Sequence, residues 1–469
     1  MRSLAPIPPH VGSCLKRALA AHDAADPASA LEALTAGALA DIQQHQQQFL
    51  GDIRACALFA DFTRDLLTPW AASLPPFIAP PALSNPPRIA YCMPSLAQGQ
   101  AASANLLRLV RHHAATKRVT CCVILTEEHT RRNPASDFLH LPDAPSTLLA
   151  PDMLAQLRTL CEVHILPAID SHLAAAHRAL PLLRALALDA ALFVASPACA
   201  IQTALAFARI APLQTCLNIG VPLLTPGIDA VIYNNPPKAQ RDHAVLTACN
   251  IAMHSVETSG GDAASAAAVP ATPRSTLALP ADAPVLACVS NRLTDRLLAG
   301  TFAHDLCAFL LQHPTAWFVG IGPSDPGKLQ APLAPVIDRC IFTGPAADPR
   351  THLKSCDILL NEYPEGGGNS VIEAMGAGVP VVAMRAGERH AECIGAHLVG
   401  PDAIPTSDRT AYWQLVTHWL QNPHARLQAA ARQRDRAVTR LDYAPICAAY
   451  EDALLSLLGG RPLRGGRMP

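Results

Sequence analysis

Glu365, Gly366, Gly367, Gly368, Asn369, Ser370 and Glu373 fall close together in the stretch YPEGGGNSVIEAMGAGVPVVAM, Tyr363 to Met384. Three consecutive glycines exceed what a bare loop needs and point to a backbone that something approaches closely. The preceding CDILLN reads as a buried strand, which puts the glycines at a strand's carboxyl end with a helix to follow. Asn369 is placed to cap a helix starting around Ser370, whose first turn presents unpaired N–H groups. Those donors and the helix dipole suit a phosphate, and the glycines let it come near. Glu373, one turn into the helix, is placed to accept two hydrogen bonds from a vicinal diol such as ribose. Glu365 is placed to meet a sugar hydroxyl. A diphosphate flanked by two polyols describes a nucleotide sugar.

A diphosphate also calls for a cation. The chain has five lysines (Lys16, Lys117, Lys238, Lys328 and Lys354), so arginine is the expected partner. VSNRLTDRL, at the end of another predicted strand, carries Arg292 and Arg296. A guanidinium grips a pyrophosphate bidentately. Arg292 is read as the principal cation on the leaving group and Arg296 as a second phosphate ligand. Ion pairing to Asp295 is the simpler role, weighed more heavily for Arg296. His390 in GERHAE is placed to touch sugar or phosphate, and GIGPSD reads as a further loop beside the same site. D-x-D, H-E-x-x-H and paired Cys/His ligand spacings are absent. No metal and no cofactor are therefore expected, the nucleotide sugar being a substrate. His112 and His113 read as helix-surface residues.

These residues need elements to hold them. Residues 1–85 read as a helical region closed by PPFIAPPALSNPP, in which Gln43 to Gln48 form a solvated face. From Arg88 strands and helices alternate: RIAYCM, RVTCCVIL, EVHILPA, DAALFVA, LQTCLNI and IDAVIYNN as strands, with a helix over Ala200–Ala208 among those between. Such alternation implies a parallel sheet covered on both faces. Between Asn235 and Pro280 the alternation fails, and TSGGDAASAAAVPATPRS has linker composition. A second series follows, with PVLACVS, AWFVGIG, RCIFTG, CDILLNEY and VPVVAM as strands and helical sequence from Thr410 to Leu458. The expected organisation is α/β: a helical region (1–85), an acceptor-side Rossmann-like domain with linker (86–280), a nucleotide-sugar domain with C-terminal helices (281–458) and a disordered tail (459–469). Two such domains face a cleft, with ligands outside the carboxyl ends of the strands. The acceptor nucleophile is expected to enter near MPSLAQGQ or ASPACAIQ.

Composition narrows the partners. Of 469 residues 50% are hydrophobic and 16% charged, and the formal net charge is −1. Sizeable cores follow, and nucleic acid is disfavoured as a main partner. The apolar region Leu180 to Leu213 is interrupted by Arg184, Asp189 and Arg209, against a membrane span. Fifteen scattered cysteines without a C-x-x-C and an N-terminus without an apolar signal region point to free thiols in the cytoplasm.

The second half resembles the nucleotide-sugar domain of GT-B glycosyltransferases. The two glutamates of PEGGGNSVIEAMGAGVPVV, with seven residues between them, resemble the retaining family of sucrose-synthase and mannosyltransferase type. ARIAPLQTCLNIGVPLLTPGIDAVIYN, LPADAPVLACVSNRLTDRL and AGERHAECIGAHLVG are similar to segments of O-GlcNAc transferase-like enzymes, and most of all to bacterial adhesin-modifying glucosyltransferases. In those, an Asn and an acidic residue four positions later bind the nucleotide sugar, the spacing of Asn369 and Glu373. Arg292 stands where that family has lysine, the N-terminal helical region is shorter, and no tetratricopeptide array is evident. The resemblance implies a GT-B fold and transfer of a hexose or N-acetylhexosamine from a UDP-sugar. A polypeptide acceptor is preferred to a glycan or lipid. Two other readings compete: a sugar-nucleotide epimerase of the same two-lobed shape, and a non-catalytic scaffold.

Overall fold

The computed structural model describes residues 6–43, 49–96, 101–128, 150–167, 171–218, 220–258, 260–290, 292–364, 366–385 and 394–460. Glu365, His390 and residues 44–48 of the glutamine cluster lie outside them, as do residues 97–100 of MPSLAQGQ and 461–469 of the tail. The chain divides into two compact units: residues 1–234, 239–256 and 447–469, and residues 235–238 and 257–446.

The first unit holds a seven-stranded sheet: β1 (Arg88–Met93), β2 (Thr120–Leu125), β3 (Glu162–Ile165), β4 (Ala190–Phe193), β5 (Leu213–Asn218), β6 (Ala230–Tyr233) and β7 (Ala252–Ser255). All neighbours pair in parallel, in the order β3-β2-β1-β4-β5-β6-β7. Alternate residues of β1 enter different cores, Ala90 and Cys92 on one face and Ile89, Tyr91 and Met93 on the other. A sheet buried on both faces explains why its strands read as continuous apolar runs.

The N-terminal helices Pro9–Asp23, Pro27–Gln43 and Ile53–Ala72 join one of these cores through Val11, Leu31, Leu34, Phe59 and Leu66, within the first unit rather than apart from it. They cover the helix Ala200–Ala208, all of whose residues are buried. A helix enclosed on every side has no polar face, which accounts for the apolar stretch from Leu180 to Leu213. No described helix is long and apolar enough to cross a membrane.

The expected break after Asn235 does not occur. The helix Pro236–Ala248 and β7 continue the alternation, with Ala252 in register with Ala230. The signal was weak because β7 is short and half-exposed, without an apolar run. The linker-like segment is also folded. Ala263 and Ala266 are buried in the helix Ala263–Ala266, and a Cβ on Gly376 would lie 2.5 Å from the Ala263 carbonyl oxygen. Small residues there allow two backbones to close together, and linker composition looks the same. Apart from residues 235–238, the second unit runs from Glu257 to Ile446.

That unit carries β8 (Val285–Val289), β9 (Trp317–Ile321), β10 (Cys340–Phe342), β11 (Ile358–Leu360) and β12 (Val381–Val382), parallel in the order β10-β9-β8-β11-β12. The strand order reverses between β8 and β11, as it does between β1 and β4 in the first sheet. In open parallel sheets the crevice at such a switch point is where ligands sit.

Cys447 onward belongs to the first unit. The helix Tyr443–Gly459 brings Glu451 onto His113, which is 1% exposed rather than on a helix surface. One Glu451 oxygen accepts from His113 Nδ1 at 2.8 Å and Thr116 Oγ1 at 2.7 Å, and the other from Arg118 at 3.0 Å. His113 Nε2 lies 2.7 Å from the Tyr91 hydroxyl. A segment more than 300 residues away supplies the cover, so the helix carrying His113 gives no local sign of it.

Candidate functional site

The loops after β8 and β11 flank the switch point of the second unit. After β8, the Ser290 hydroxyl accepts from the Arg292 N–H at 2.9 Å and opens the short helix Leu293–Leu298. The loop after β9 closes on the same place: Gly322 has φ +126°, and a Cβ there would lie 2.0 Å from the Ser290 carbonyl oxygen. After β11 come Asn361, Glu362, the cis Tyr363–Pro364 bond and the glycines. The helix then runs Asn369–Ala377, with Gly368 rather than Asn369 at its N-cap and no side-chain capping bond. It ends at Gly378, whose φ of +79° provides the left-handed turn usual after a helix.

Neighbouring side chains explain two of the three glycines. A Cβ on Gly366 would sit 2.5 Å from both Asn361 side-chain polar atoms. On Gly367 it would sit 2.4 Å from Ser370 Oγ and 2.9 Å from Arg296 Nη1. Gly368 is roomier, with Ile394 no nearer than 3.6 Å. Asn361, 4% exposed, anchors the loop: its Nδ2 donates to the Gly367 carbonyl at 3.0 Å, and its own carbonyl accepts from the Tyr412 hydroxyl at 3.2 Å. The glycines thus let the loop fold over Asn361 and against Ser370 and Arg296.

The two arginines point different ways. Arg292 is exposed and pairs with Asp295 at 3.3 Å, whereas half-buried Arg296 turns toward the glycine loop. Helix geometry is the reason: Arg292 at the N-cap stands one turn before Asp295, on its side of the helix. The charge of Arg296 also acts on Glu362, a residue without a role in the sequence analysis. Glu362 is 2% exposed. Burial pushes its carboxyl up to about 7, against the pull of Arg296, of the Glu362 and Gly367 N–H groups and of the Cys288 thiol. A polar pair, Asn361–Glu362, directly after an apolar strand was the available signal.

Glu373 is half-buried one turn into the helix, four residues after Asn369 on the same face. Its charge is among those that keep Arg350 protonated, after the larger hydrogen-bond contribution of Asp348. Beside the glycine loop a cavity of about 330 Å³ is lined by Gly300, Thr301, Tyr363, Pro364, Met384 and Arg409, among others. The Tyr363 hydroxyl donates to Asp305 at 2.9 Å and accepts from Trp413 at 2.8 Å, which fixes one wall.

In the first unit, the segments expected to admit an acceptor follow β1 and β4, at that sheet's own switch point. Glu128 there accepts from Thr126 Oγ1 at 2.7 Å and from the Ile201 N–H at 2.7 Å. Among the described residues no group of three or more His, Cys, Asp or Glu side chains is arranged to hold a metal ion, and the described cysteines are free.

Comparison with known proteins bears on this arrangement. Residues 284–422 match the family model described as glycosyl transferases group 1, a span containing every loop of the second unit named above. No curated protein sequence matches the chain. Among solved structures, a glycosyltransferase from Rickettsia africae aligns with TM-score 0.59 at 11% identity, over 81% of this chain and all of the other. HepE of Anabaena, solved in complex with UDP and glucose, aligns with TM-score 0.53 at 17% identity, over 79% of this chain and 99% of its own. An O-GlcNAc transferase of Thermobaculum terrenum aligns with TM-score 0.53 at 15% identity, over 97% and 98%. These likenesses establish the GT-B fold: two Rossmann-like α/β domains, here with an N-terminal helical extension.

Proposed function

We propose that this chain is a glycosyltransferase that moves a hexose or N-acetylhexosamine from a UDP-sugar to an acceptor, a polypeptide side chain being preferred to a glycan or lipid. The observation carrying the reading is the Arg296 guanidinium set against Gly367. It lies at the switch point where parallel sheets bind ligands, within the span matched by the group 1 model. HepE, of the same fold, is seen with UDP and glucose, which supports a uridine nucleotide.

The diphosphate takes Arg296 and the first-turn N–H groups of the Asn369–Ala377 helix, with Ser370 beside them. Glu373 takes the ribose diol, and Glu365 and His390 meet the sugar. Arg292 adds a second positive charge at the rim, where an exposed pairing to Asp295 holds it weakly. As the glycosidic bond breaks, negative charge grows on the departing diphosphate, and preorganised donors stabilise it most in the transition state. No resident metal enters this account, and assays in EDTA test that. The free thiols fit a reducing compartment such as the cytoplasm.

The test is calorimetry with UDP-glucose and UDP-N-acetylglucosamine, followed by intact mass of candidate acceptor proteins co-expressed with this chain. Saturable binding and an acceptor gaining one hexose or N-acetylhexosamine are expected. An epimerised nucleotide sugar without transfer, or no binding, would overturn the reading.

A further inference from the structure

Cys121 on β2 and Cys161 at the start of β3 stand side by side. The parallel register pairs Cys122 with Glu162 and Val123 with Val163, so one residue earlier on each strand Cys121 falls opposite Cys161. Cys161 has the extended backbone of the strand it leads into, with φ −157° and ψ 169°. Its N–H donates to the Leu157 carbonyl at 2.9 Å, at the end of the helix Pro151–Leu160. Cys121, Val123 and Leu125 on one strand and Cys161, Val163 and Ile165 on the other pack on the same core, so the two thiols leave the sheet on one face. Neighbouring strands run about 4.8 Å apart, inside the Cα separations of roughly 4.4–6.8 Å that a disulfide spans. Among the described residues no other cysteine has a cysteine opposite it in the register of its sheet. Access also distinguishes the pair: both residues are half-buried, whereas Cys122 and Cys92, in the opposite core, are at most 1% exposed. The Cys161 thiol, hydrogen-bonded to Cys121, draws the Cys121 thiol below its ordinary value against the effect of burial. Cys161 is pushed up by the same bond and by burial. Cys121 is therefore the better nucleophile of the two, since the thiolate is the reactive form.

We propose that Cys121 and Cys161 form a reversible redox site at the edge of the first sheet, which a peroxide oxidises to a disulfide tying the edge strand β3 to β2. The Cys121 sulfur attacks a peroxide oxygen, the O–O bond breaks, and the thiol proton leaves with the departing hydroxide as water. The Cys161 sulfur then attacks the sulfur of the Cys121 sulfenic acid. The S–O bond breaks, the S–S bond forms, and the second thiol proton leaves with the hydroxide as a second water. Two thiols and one hydrogen peroxide thus give one disulfide and two waters, each sulfur losing one electron and each peroxide oxygen gaining one. In a reducing compartment the dithiol is the resting form, and a dithiol reductant returns the disulfide to it. The site lies at the amino ends of its strands, away from the carboxyl ends where ligands bind, and does not depend on the donor reading.

The test uses the full chain, reduced, freed of reductant and treated with hydrogen peroxide. Remaining thiols are blocked with N-ethylmaleimide, and the peptides are mapped by mass spectrometry without reduction. Cleavage after Arg118 and Arg158 leaves Cys121 with Cys122 on one peptide and Cys161 on another, so fragmentation assigns the bridge. A linked Cys121–Cys161 peptide, lighter by two hydrogens than its two parts and released by dithiothreitol, is expected as the first disulfide to form. Cys161→Ser should abolish it and leave a Cys121 sulfenic acid that dimedone traps. Cys121→Ser should abolish it and leave Cys161 open to alkylation. Where a serine variant does not fold, the wild-type map decides alone. Both thiols still alkylated at peroxide doses that oxidise the exposed Cys249 would overturn the proposal. So would a sulfinic acid at Cys121 without a bridge, or a bridge that joins Cys122 instead and persists in Cys121→Ser.

Discussion

The guanidinium of Arg296 rests against the backbone of Gly367, so that a Cβ on that glycine would lie 2.9 Å from Nη1 and 2.4 Å from Ser370 Oγ. The contact joins the short helix Leu293–Leu298 that follows β8 to the loop after β11 across the strand-order reversal. A methyl group at residue 367 would push the arginine and the serine off the proposed phosphate position. Gly367→Ala should weaken UDP-sugar binding about 10-fold or more, the effect of overpacking by 1–3 kcal/mol or so. Gly368→Ala should stay within about twofold, since its nearest neighbour would be 3.6 Å away. Calorimetry on both folded variants checks the contrast, and equal losses would argue against a special role for the Arg296–Gly367 contact.

The two arginines should separate kinetically. Arg296→Ala is expected to lower the single-turnover rate by roughly 10²–10³-fold, the range for losing one preorganised donor. Arg292→Ala should cost less than about 10-fold, because its pairing with Asp295 is exposed. The reverse ranking would return the principal role to Arg292.

Glu373→Ala should weaken donor binding by about 1.5–3 kcal/mol, the usual worth of hydrogen bonds to a charged group. A folded variant with unchanged affinity for UDP alone would remove Glu373 from the ribose.

Glu362 gives folding a pH dependence of known sign. Burial raises its carboxyl to about 7 in the folded chain. The folded state then binds more protons than the unfolded state above the ordinary carboxylate value. Stability is full below that value and falls as pH rises through about 7. The loss is on the order of 3 kcal/mol across that interval. Chemical denaturation from pH 5 to pH 8 should show this decline in the wild type and a flatter profile in Glu362→Gln.

Glu451 acts in the opposite direction. Burial pushes its carboxyl up, but hydrogen bonds from His113 and Thr116 and the charges of His113 and His112 outweigh this and leave it below the ordinary value. Its contribution is present above the unfolded carboxylate value and lost as pH falls through the folded one. His113, lowered chiefly by burial, adds to the loss in acid. Glu451→Ala should destabilise the first unit by on the order of 3 kcal/mol, leaving His113 and Arg118 without their shared acceptor. A melting temperature equal to that of the wild type would show that the network adds nothing.

Local chemistry alone determined much of this protein. Apolar runs bounded by turn residues placed β1 at Arg88–Met93 and the buried helix at Ala200–Ala208 with the bounds that the structure shows. Their alternation carried the two parallel sheets, because a strand buried on both faces must be apolar throughout. The glycine loop and following helix were legible for a similar reason, since glycines are backbone requirements written residue by residue, although the cap expected at Asn369 falls to Gly368. Longer-range contacts were not written that way. Which arginine faces the loop depends on helix phase and on Asp295 one turn further on. Whether His113 meets solvent depends on Glu451, brought back by the last helix. Glu362 became notable only when β8, the Leu293–Leu298 helix and Gly367 closed around it. For Arg296 beside Gly367 and His113 beside Glu451 the surroundings come from segments distant in sequence, and tertiary packing sets their burial and partners.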